Sequence, residues 1–174
     1  LAAAASADVV VINFDFYPGP DGMLGTPDDI PIVAPSVFTS QTQQITDEFA
    51  SVGVIFRTPP INDANEILNN SSFSVPPAST PPNLFCASGL LTIEGAFTVP
   101  VFEVGAIIGI SGGPDRLEAY DASNNLIGSR VGDDTYESIQ STVPIVRFII
   151  VASTGTTAAI DNLTFDTGSA QPCY

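Results

Sequence analysis

Histidine, lysine and tryptophan are all absent from this chain of 174 residues. Without histidine, a Ser-His-Asp or Cys-His catalytic arrangement cannot be built. Without lysine, Schiff-base chemistry is closed as well, and the two cysteines are too few for a zinc site that lacks histidine. A glycosidase needs only two carboxylates, but no pair stands out among the 19 acidic residues. We therefore expect a protein that is not an enzyme.

Positive charge and long apolar runs are also scarce. Four arginines stand against 19 acidic residues, which gives a formal net charge of −15. Such a charge repels nucleic acids and anionic membrane surfaces, so cations are the natural partners. The longest apolar stretch, residues 99–110, is interrupted by Glu103 and is shorter than the ~18 residues of a membrane span. We expect neither a nucleic-acid partner nor a membrane span.

The only cysteines are Cys86 and Cys173. An even count in an acidic chain without lysine favours one disulfide and an oxidising, extracellular location. Closing so long a loop would stabilise the fold by roughly 4–5 kcal/mol in the chain-entropy model. Two free buried thiols and an intermolecular bridge remain open alternatives. Sequons at Asn69, Asn70 and Asn162 would permit glycosylation in the same location.

Short runs of β-branched and aromatic residues, separated by turn residues, fill most of the chain. They begin with residues 9–16 (VVVINFDF), and a series of strands between residues 90 and 165 follows. Asn124 and Asn125 suit a turn that needs positive φ. A helical turn is expected only at residues 43–51, and residues 61–82 are expected to form a surface excursion. The pattern predicts an all-β fold, an antiparallel β-sandwich, in one domain over residues 8–174.

An Ala-rich segment precedes that domain. Its end resembles the end of a signal peptide, although it belongs to the chain. An apolar tail that leads into a strand can pair with a neighbouring subunit by strand addition, or it can fold back on its own domain. We expect the first of these, an assembly role, for Leu1, Ala2, Ala3, Ala4, Ala5, Ser6 and Ala7.

An Asp-rich loop, residues 18–31 (PGPDGMLGTPDDIP), follows the first strand and contains Asp21, Asp28 and Asp29. Clustered carboxylates repel one another unless a cation lies among them. Hard oxygen ligands on a flexible loop suit calcium best. The alternative is that these acids are solvated turn residues, because aspartate is common in turns. The loop therefore predicts a calcium site, with the solvated turn as its alternative.

Three segments together resemble a known family: residues 12–32 with 45–56, residues 107–129 (IIGISGGPDRLEAYDASNNLIGS) and residues 146–166 (VRFIIVASTGTTAAIDNLTFD). Their order is similar to that of the galactose-binding-like, carbohydrate-binding-module-like jelly rolls of bacterial secreted proteins of the PEP-CTERM type. The resemblance implies a β-sandwich of jelly-roll type with a structural calcium ion. It also implies that the metal is held between the first and last strands, by Asp15 and Asp161, with Glu48 as a third ligand.

Two functions follow as expectations. The first is a structural subunit of an extracellular filament or surface layer, which binds copies of itself and is stabilised by calcium and a disulfide. The alternative is a calcium-stabilised carbohydrate-binding module, whose polysaccharide site would be framed by Tyr17, Tyr120, Tyr136 and the loop at residues 132–135 (GDDT). The absence of tryptophan, the usual sugar-stacking side chain, weighs against the second function.

Overall fold

A computed structural model describes residues 8–36, 44–57, 64–69, 82–88, 92–153 and 156–167. Within them the chain is almost entirely β-structure, and every strand pairing is antiparallel. A short 3-10 helix, Ala50–Val52, is the one helical element of these residues, so none of their helices is long and apolar enough to span a membrane. The strands are β1 (Val9–Ile12), β2 (Phe16–Tyr17), β3 (Ile30–Pro31), β4 (Val54–Phe56), β5 (Ala64–Asn69), β6 (Asn83–Ser88), β7 (Thr92–Ile108), β8 (Asp115–Tyr120), β9 (Leu126–Gly132), β10 (Thr135–Val151) and β11 (Ala159–Asp166).

Two long strands, β7 and β10, form the centre of the fold. Each has 17 residues, and they pair with one another along most of their length. The first half of β7 lies between β10 and β4, whereas its second half lies between β10 and β11. The second half of β10 also pairs with β8, which in turn pairs with β9. The two halves of this hairpin therefore carry different neighbours, as expected where strands pass from one layer of a sandwich to the other.

The change of neighbours coincides with two prolines in the middle of the long strands. Pro100 lies in β7 and Pro144 in β10, beside the paired residues Val101 and Ile145. The register of the ladder shifts on both sides of Ile145. Proline has no N–H to donate, so within a sheet it is tolerated at such irregularities and not in a regular ladder. The sequence thus fixes the place where the hairpin departs from regular pairing.

Phenylalanine dominates the core between the strands. The ring of Phe14 stacks on Phe85 with centroids 5.1 Å apart, and Phe97 lies 5.6 Å from Phe148 and 5.0 Å from Phe165. All five of these side chains are buried. Each contributes roughly 1.5–3 kcal/mol through burial, and favourable aromatic pairs add about 0.5–1.5 kcal/mol. Phe56 connects the two groups, since its ring centroid lies 4.4 Å from that of Phe85 and 6.3 Å from that of Phe148. The aromatic cluster therefore joins the segment after β1 to the central hairpin and to the last strand.

The prediction of an all-β, antiparallel fold is confirmed, and the large sheet is consistent with a β-sandwich. The jelly-roll type stays a prediction. One local prediction was wrong: residues 61–82 are not only a surface excursion, because β5 begins at residue 64 and pairs with β6. The first strand also ends earlier than predicted, since Phe14 adopts φ 59°, a left-handed conformation that no regular strand contains.

Candidate functional site

The Asp-rich loop, residues 18–31, is held together by its own carboxylates. Asp21 Oδ1 accepts a hydrogen bond from the N–H of Met23 at 2.9 Å. Asp29 Oδ2 accepts one from the N–H of Gly25 at 2.7 Å. Aspartate commonly closes turns in this way, by accepting from a backbone N–H nearby in the chain. These two acids therefore have a local structural role whether or not a cation is bound.

Asp28 is the third acid of this loop, and its side chain is exposed. The hydroxyl of Thr26 donates to Asp28 Oδ1 at 2.6 Å, and this bond is the main cause that lowers the pKa of the carboxyl. The N–H of Asp21 donates to the other oxygen at 3.2 Å. Asp28 is thus kept ionised and in a fixed orientation on the surface of the loop.

The three residues implied by the family resemblance lie in different surroundings. Asp15 is partly buried, which raises the pKa of its carboxyl, and its Oδ1 accepts from the N–H of Asn83 at 3.2 Å. Glu48 accepts from the N–H of Thr46 at 2.6 Å. Asp161 is fully buried in β11. The first and last strands do meet, because β1 and β11 pair directly, but they do so through their backbones.

No three acidic or thiol side chains of the described residues form a group that could hold a metal ion. Calcium therefore stays a prediction for Asp15, Glu48 and Asp161 and for the Asp-rich loop. The tail at residues 1–7 lies outside the described residues, so its predicted assembly role also stays a prediction.

Cys86 lies in β6, opposite Glu66 of β5, and its thiol is fully buried. Burial, together with the negative charge of Glu66, raises the pKa of the thiol well above its usual range. Such a thiol is a poor nucleophile once the protein has folded, because the thiolate is the reactive form. The disulfide with Cys173 stays a prediction, since Cys173 lies outside the described residues.

The three tyrosines considered for a sugar site lie in three separate places. Tyr17 is half-buried against Phe49, with ring centroids 5.7 Å apart, and burial with nearby Glu48 raises its pKa to about 12. Tyr120 lies in β8, which pairs with the last part of β10. Tyr136 lies near the start of β10, at the opposite end of that strand. These positions do not frame one binding surface.

A buried carboxylate, Asp115 at the start of β8, was not singled out from the sequence. Its side chain is fully buried, and Oδ2 accepts from the N–H of Gly109 at 3.3 Å. Burial raises its pKa to about 6, although the N–H groups of Gly109, Ser153 and Ala159 favour the ionised form. Asp133, close by, raises the pKa further. Asp115 thus links the β7–β8 connection to the β10–β11 connection.

The turn at residues 132–135 packs tightly against that same connection. A Cβ atom on Gly109 would lie 2.6 Å from the carbonyl oxygen of Gly132 and 2.7 Å from the Cα of Asp133. Gly109 also has φ +81°, a conformation that other residues rarely adopt. Only glycine at position 109 therefore allows the turn at residues 132–135 to approach the β7–β8 connection so closely.

A charged network covers the outer face of β7, β10 and β8, and it was also missed from the sequence. Glu94 binds two arginines, Arg57 at 2.9 Å and Arg147 at 3.1 Å. The guanidinium of Arg147 lies over the ring of Tyr120, 4.1 Å from its centroid. Asn124 accepts a further hydrogen bond from Arg147. Arg147 is thereby fixed from three directions.

The network continues onto β8 through Glu118. The hydroxyl of Tyr120 donates to this carboxylate at 2.6 Å, and Nε of Arg116 donates to it at 2.7 Å. These bonds lower the pKa of Glu118 even though burial alone would raise it. We call the six residues of the network the arginine face: Arg57, Glu94, Arg116, Glu118, Tyr120 and Arg147.

One signal in the sequence could have revealed part of this face. Arg116, Glu118 and Tyr120 alternate with apolar residues along β8, which puts all three on the same side of the sheet. Their partners Glu94 and Arg147 come from strands that only the tertiary pairing brings alongside.

Comparisons with known proteins do not assign this chain to a family. No family model matches the chain, and none of the curated proteins matches it either.

Proposed function

We propose that this chain is a non-catalytic, extracellular structural protein that assembles with copies of itself into a filament or surface layer. Calcium and a disulfide between Cys86 and Cys173 are part of the proposal as stabilising elements. The observation that supports it best is the open edge of β1.

Among the described residues, β1 pairs with β11 along one edge and with no other strand. It consists of four β-branched residues and carries no charge, although Asp8 precedes it. Val9 and Val11 are 66% and 50% exposed. An uncharged, apolar strand edge is a template for pairing with another chain.

Three other strands of the large sheet, β4, β5 and β9, also have a single partner strand among the described residues. The outer edge of β4 is occupied, because the N–H groups of Val54 and Phe56 donate to carbonyl oxygens of the preceding segment. The outer edge of β5 is met by a bridge between Gln44 and Glu66. β9 contains the exposed Arg130, and charged residues on edge strands discourage pairing with another chain. The β1 edge differs from these three strands because it is uncharged and no described residue covers it.

Exposed apolar side chains are also frequent in β1 and the segment that follows it in sequence. Half of the exposed large hydrophobic side chains of the described residues fall within residues 9–33, where apolar exposure points to an interaction surface. They are Val9, Val11, Phe16, Met23, Ile30 and Val33. We propose that the tail at residues 1–7, which directly precedes β1, is the segment that pairs with the β1 edge of the next copy.

Placing charge on this edge tests the proposal. In dilute solution at physiological salt, where contacts between exposed charges are screened, we expect the double substitution Val9→Lys/Val11→Lys to leave monomers where the wild-type chain forms polymers, because lysine on an edge strand opposes pairing. Deletion of residues 1–7 is expected to have the same effect. The measurement is sedimentation velocity together with negative-stain electron microscopy.

The matched control is Val99→Lys/Val143→Lys, which adds the same charge at valines that are 50% and 46% exposed on the central hairpin. This control is expected to polymerise like the wild type. Circular dichroism would establish that all variants are folded. Polymers of unchanged size from the β1 variant would contradict the proposal.

The alternative, a calcium-stabilised carbohydrate-binding module, has less support. Tyr17, Tyr120 and Tyr136 lie apart, and one face of the Tyr120 ring is already covered by Arg147. A sugar stacks on a free aromatic face, so Tyr120 offers at most its second face.

A further inference from the structure

We propose that the arginine face of one copy binds the Asp-rich loop, residues 18–31, of a second copy. The proposal rests on the self-assembly proposed above and names a second contact in it, separate from the β1 edge.

The arginine face stands out by its charge. It holds three of the chain's four basic residues, Arg57, Arg116 and Arg147. Two carboxylates, Glu94 and Glu118, lie among them, so the face carries a balance of 3 − 2 = +1 in a chain whose net charge is −15. Copies of such a chain repel one another over most of their surface, and this face is where the repulsion is reversed.

Two of its arginines keep hydrogen-bond donors for a partner. Arg57 and Arg116 are 72% and 46% exposed, and each bonds to a carboxylate of the face through a single nitrogen. A guanidinium has five N–H donors in a planar fork that matches a carboxylate. No other described residue occupies the remaining donors of either arginine, so these donors are available to carboxylates of a second copy.

The Asp-rich loop has the matching properties. It concentrates three carboxylates in nine residues, from Asp21 to Asp29, and Asp21 and Asp28 are exposed. Hydrogen bonds within the loop already orient them. On the arginine face, ion pairs to Glu94 and Glu118 likewise hold Arg57 and Arg116. Contacts between two ordered surfaces lose little conformational entropy on binding, which favours this pair over pairs of flexible side chains.

Apolar side chains accompany the charges on both surfaces. Ile55 is 41% exposed in β4 beside the arginine face, and Met23 and Ile30 are 56% and 52% exposed in the loop. Burying them between copies would exclude water from the ion pairs and strengthen them. A second copy therefore fits the face in charge and in apolar character.

The test is a dilution series followed by ¹⁵N–¹H NMR in the Val9→Lys/Val11→Lys variant, in which the β1 edge is blocked. At low ionic strength we expect the amide signals of Glu94, Arg116 and Arg147 to shift with protein concentration. The signals of Asp21 and Asp28 are expected to shift over the same concentration range. Salt at about 0.5 M should suppress both sets, because it screens exposed charges.

Two further variants locate the contact. Arg57→Gln/Arg116→Gln is expected to abolish the shifts in both sets of signals. Arg130→Gln is the control. Arg130 is exposed, but it lies opposite Leu117, whose side chain faces the core. Arg130 is therefore not part of the arginine face. It is expected to keep the shifts. Shifts that are absent in the parent variant, or that persist in Arg57→Gln/Arg116→Gln, would overturn the proposal.

An acidic polysaccharide is the competing occupant, and polygalacturonate serves as its probe. Signals of the arginine face that move with polygalacturonate but not with protein concentration would overturn the second-copy proposal and favour a polysaccharide. Failure of the β1 proposal is read separately, from polymers that persist in the β1 variant, so the two proposals can fail independently.

Discussion

At the scale of single residues, Asp115 shows what a buried carboxylate contributes to the fold and what it costs. Its ionised form accepts hydrogen bonds from the N–H groups of Gly109, Ser153 and Ala159. Gly109 lies in the β7–β8 connection, Ser153 in the β10–β11 connection and Ala159 at the start of β11. Oδ1 of Asp115 nevertheless has no hydrogen-bond partner among the described residues. A buried charge that is only partly satisfied is costly, so Asp115 exchanges some stability for the joining of these connections.

The raised pKa of Asp115 makes a signed prediction about pH. Since its pKa is about 6 in the folded protein and 3.8 ordinarily, the folded state binds the proton more tightly than the unfolded state. Its contribution to stability is therefore fully present at low pH and is lost as the pH rises through about 6. Between about pH 4.5 and about pH 7.5 we expect a loss of about 2 kcal/mol from this group.

The measurement is the free energy of unfolding by urea at both pH values, for the wild type and for Asp115→Asn. The wild type should lose about 2 kcal/mol more than the variant on going to the higher pH. Taking the difference removes the other titrating groups, such as Asp15, from the comparison. Equal pH dependence in the two proteins would show that Asp115 titrates normally.

Residue-level sites were the least predictable part of the molecule. The loop acids Asp21, Asp28 and Asp29 attract notice because they lie within nine residues of sequence, yet their carboxylates accept hydrogen bonds within the loop. The arginine face escapes notice because Glu94 and Arg147 are 53 residues apart and meet only through strand pairing. The sequence shows which residues lie close together along the chain, whereas the arginine face brings together residues that are distant in sequence.

At the scale of elements, the β7–β10 hairpin determines the arrangement of the other strands. Six of them pair with one of its long strands or with a strand that does: β1, β4, β6, β8, β9 and β11. A close contact inside the hairpin depends on Gly95, which lies opposite Phe148. A Cβ atom at Gly95 would be 2.3 Å from Cε1 of that ring.

Gly95→Ala is therefore expected to destabilise the fold by about 1–3 kcal/mol through overpacking. If the clash with Phe148 is the cause, adding Phe148→Leu should relieve it. The double variant should then be at least ~0.5 kcal/mol more stable than the sum of the single effects predicts. Urea denaturation of the four proteins measures this coupling, and strictly additive effects would refute the explanation.

Strands were predictable where their residues were β-branched and their turns carried clear signals. The turn before β9 adopts the positive φ expected at Asn124, with φ 65°. Pro100 and Pro144 do not end β7 and β10, because the ladder accommodates them with shifts of register. β5 and β6 were hidden by the Asn-, Ser- and Pro-rich residues between them, which resemble a loop throughout.

At the scale of the whole molecule, the net charge of −15 opposes both folding and assembly. Cations relieve this repulsion in two ways, by screening and by binding. The calcium proposal concerns binding, so calcium should stabilise the protein beyond the effect of ionic strength.

We expect millimolar CaCl2 to raise the Tm more than NaCl at equal ionic strength, because a ligand that binds only the folded state stabilises it by mass action. A chelator should reverse the increase at neutral pH. Asp28→Asn/Asp29→Asn and Asp15→Asn/Asp161→Asn would then show which group binds the ion. A Tm that responds equally to the two salts would contradict calcium binding.

Self-assembly is the central claim, and the solution mass of the wild-type chain tests it most directly. The measurement is multi-angle light scattering over a series of protein concentrations, in calcium and at physiological salt. The account predicts particles much heavier than the 18.1 kDa chain, whose mass grows with concentration. A mass that stays at 18.1 kDa at every concentration would contradict it.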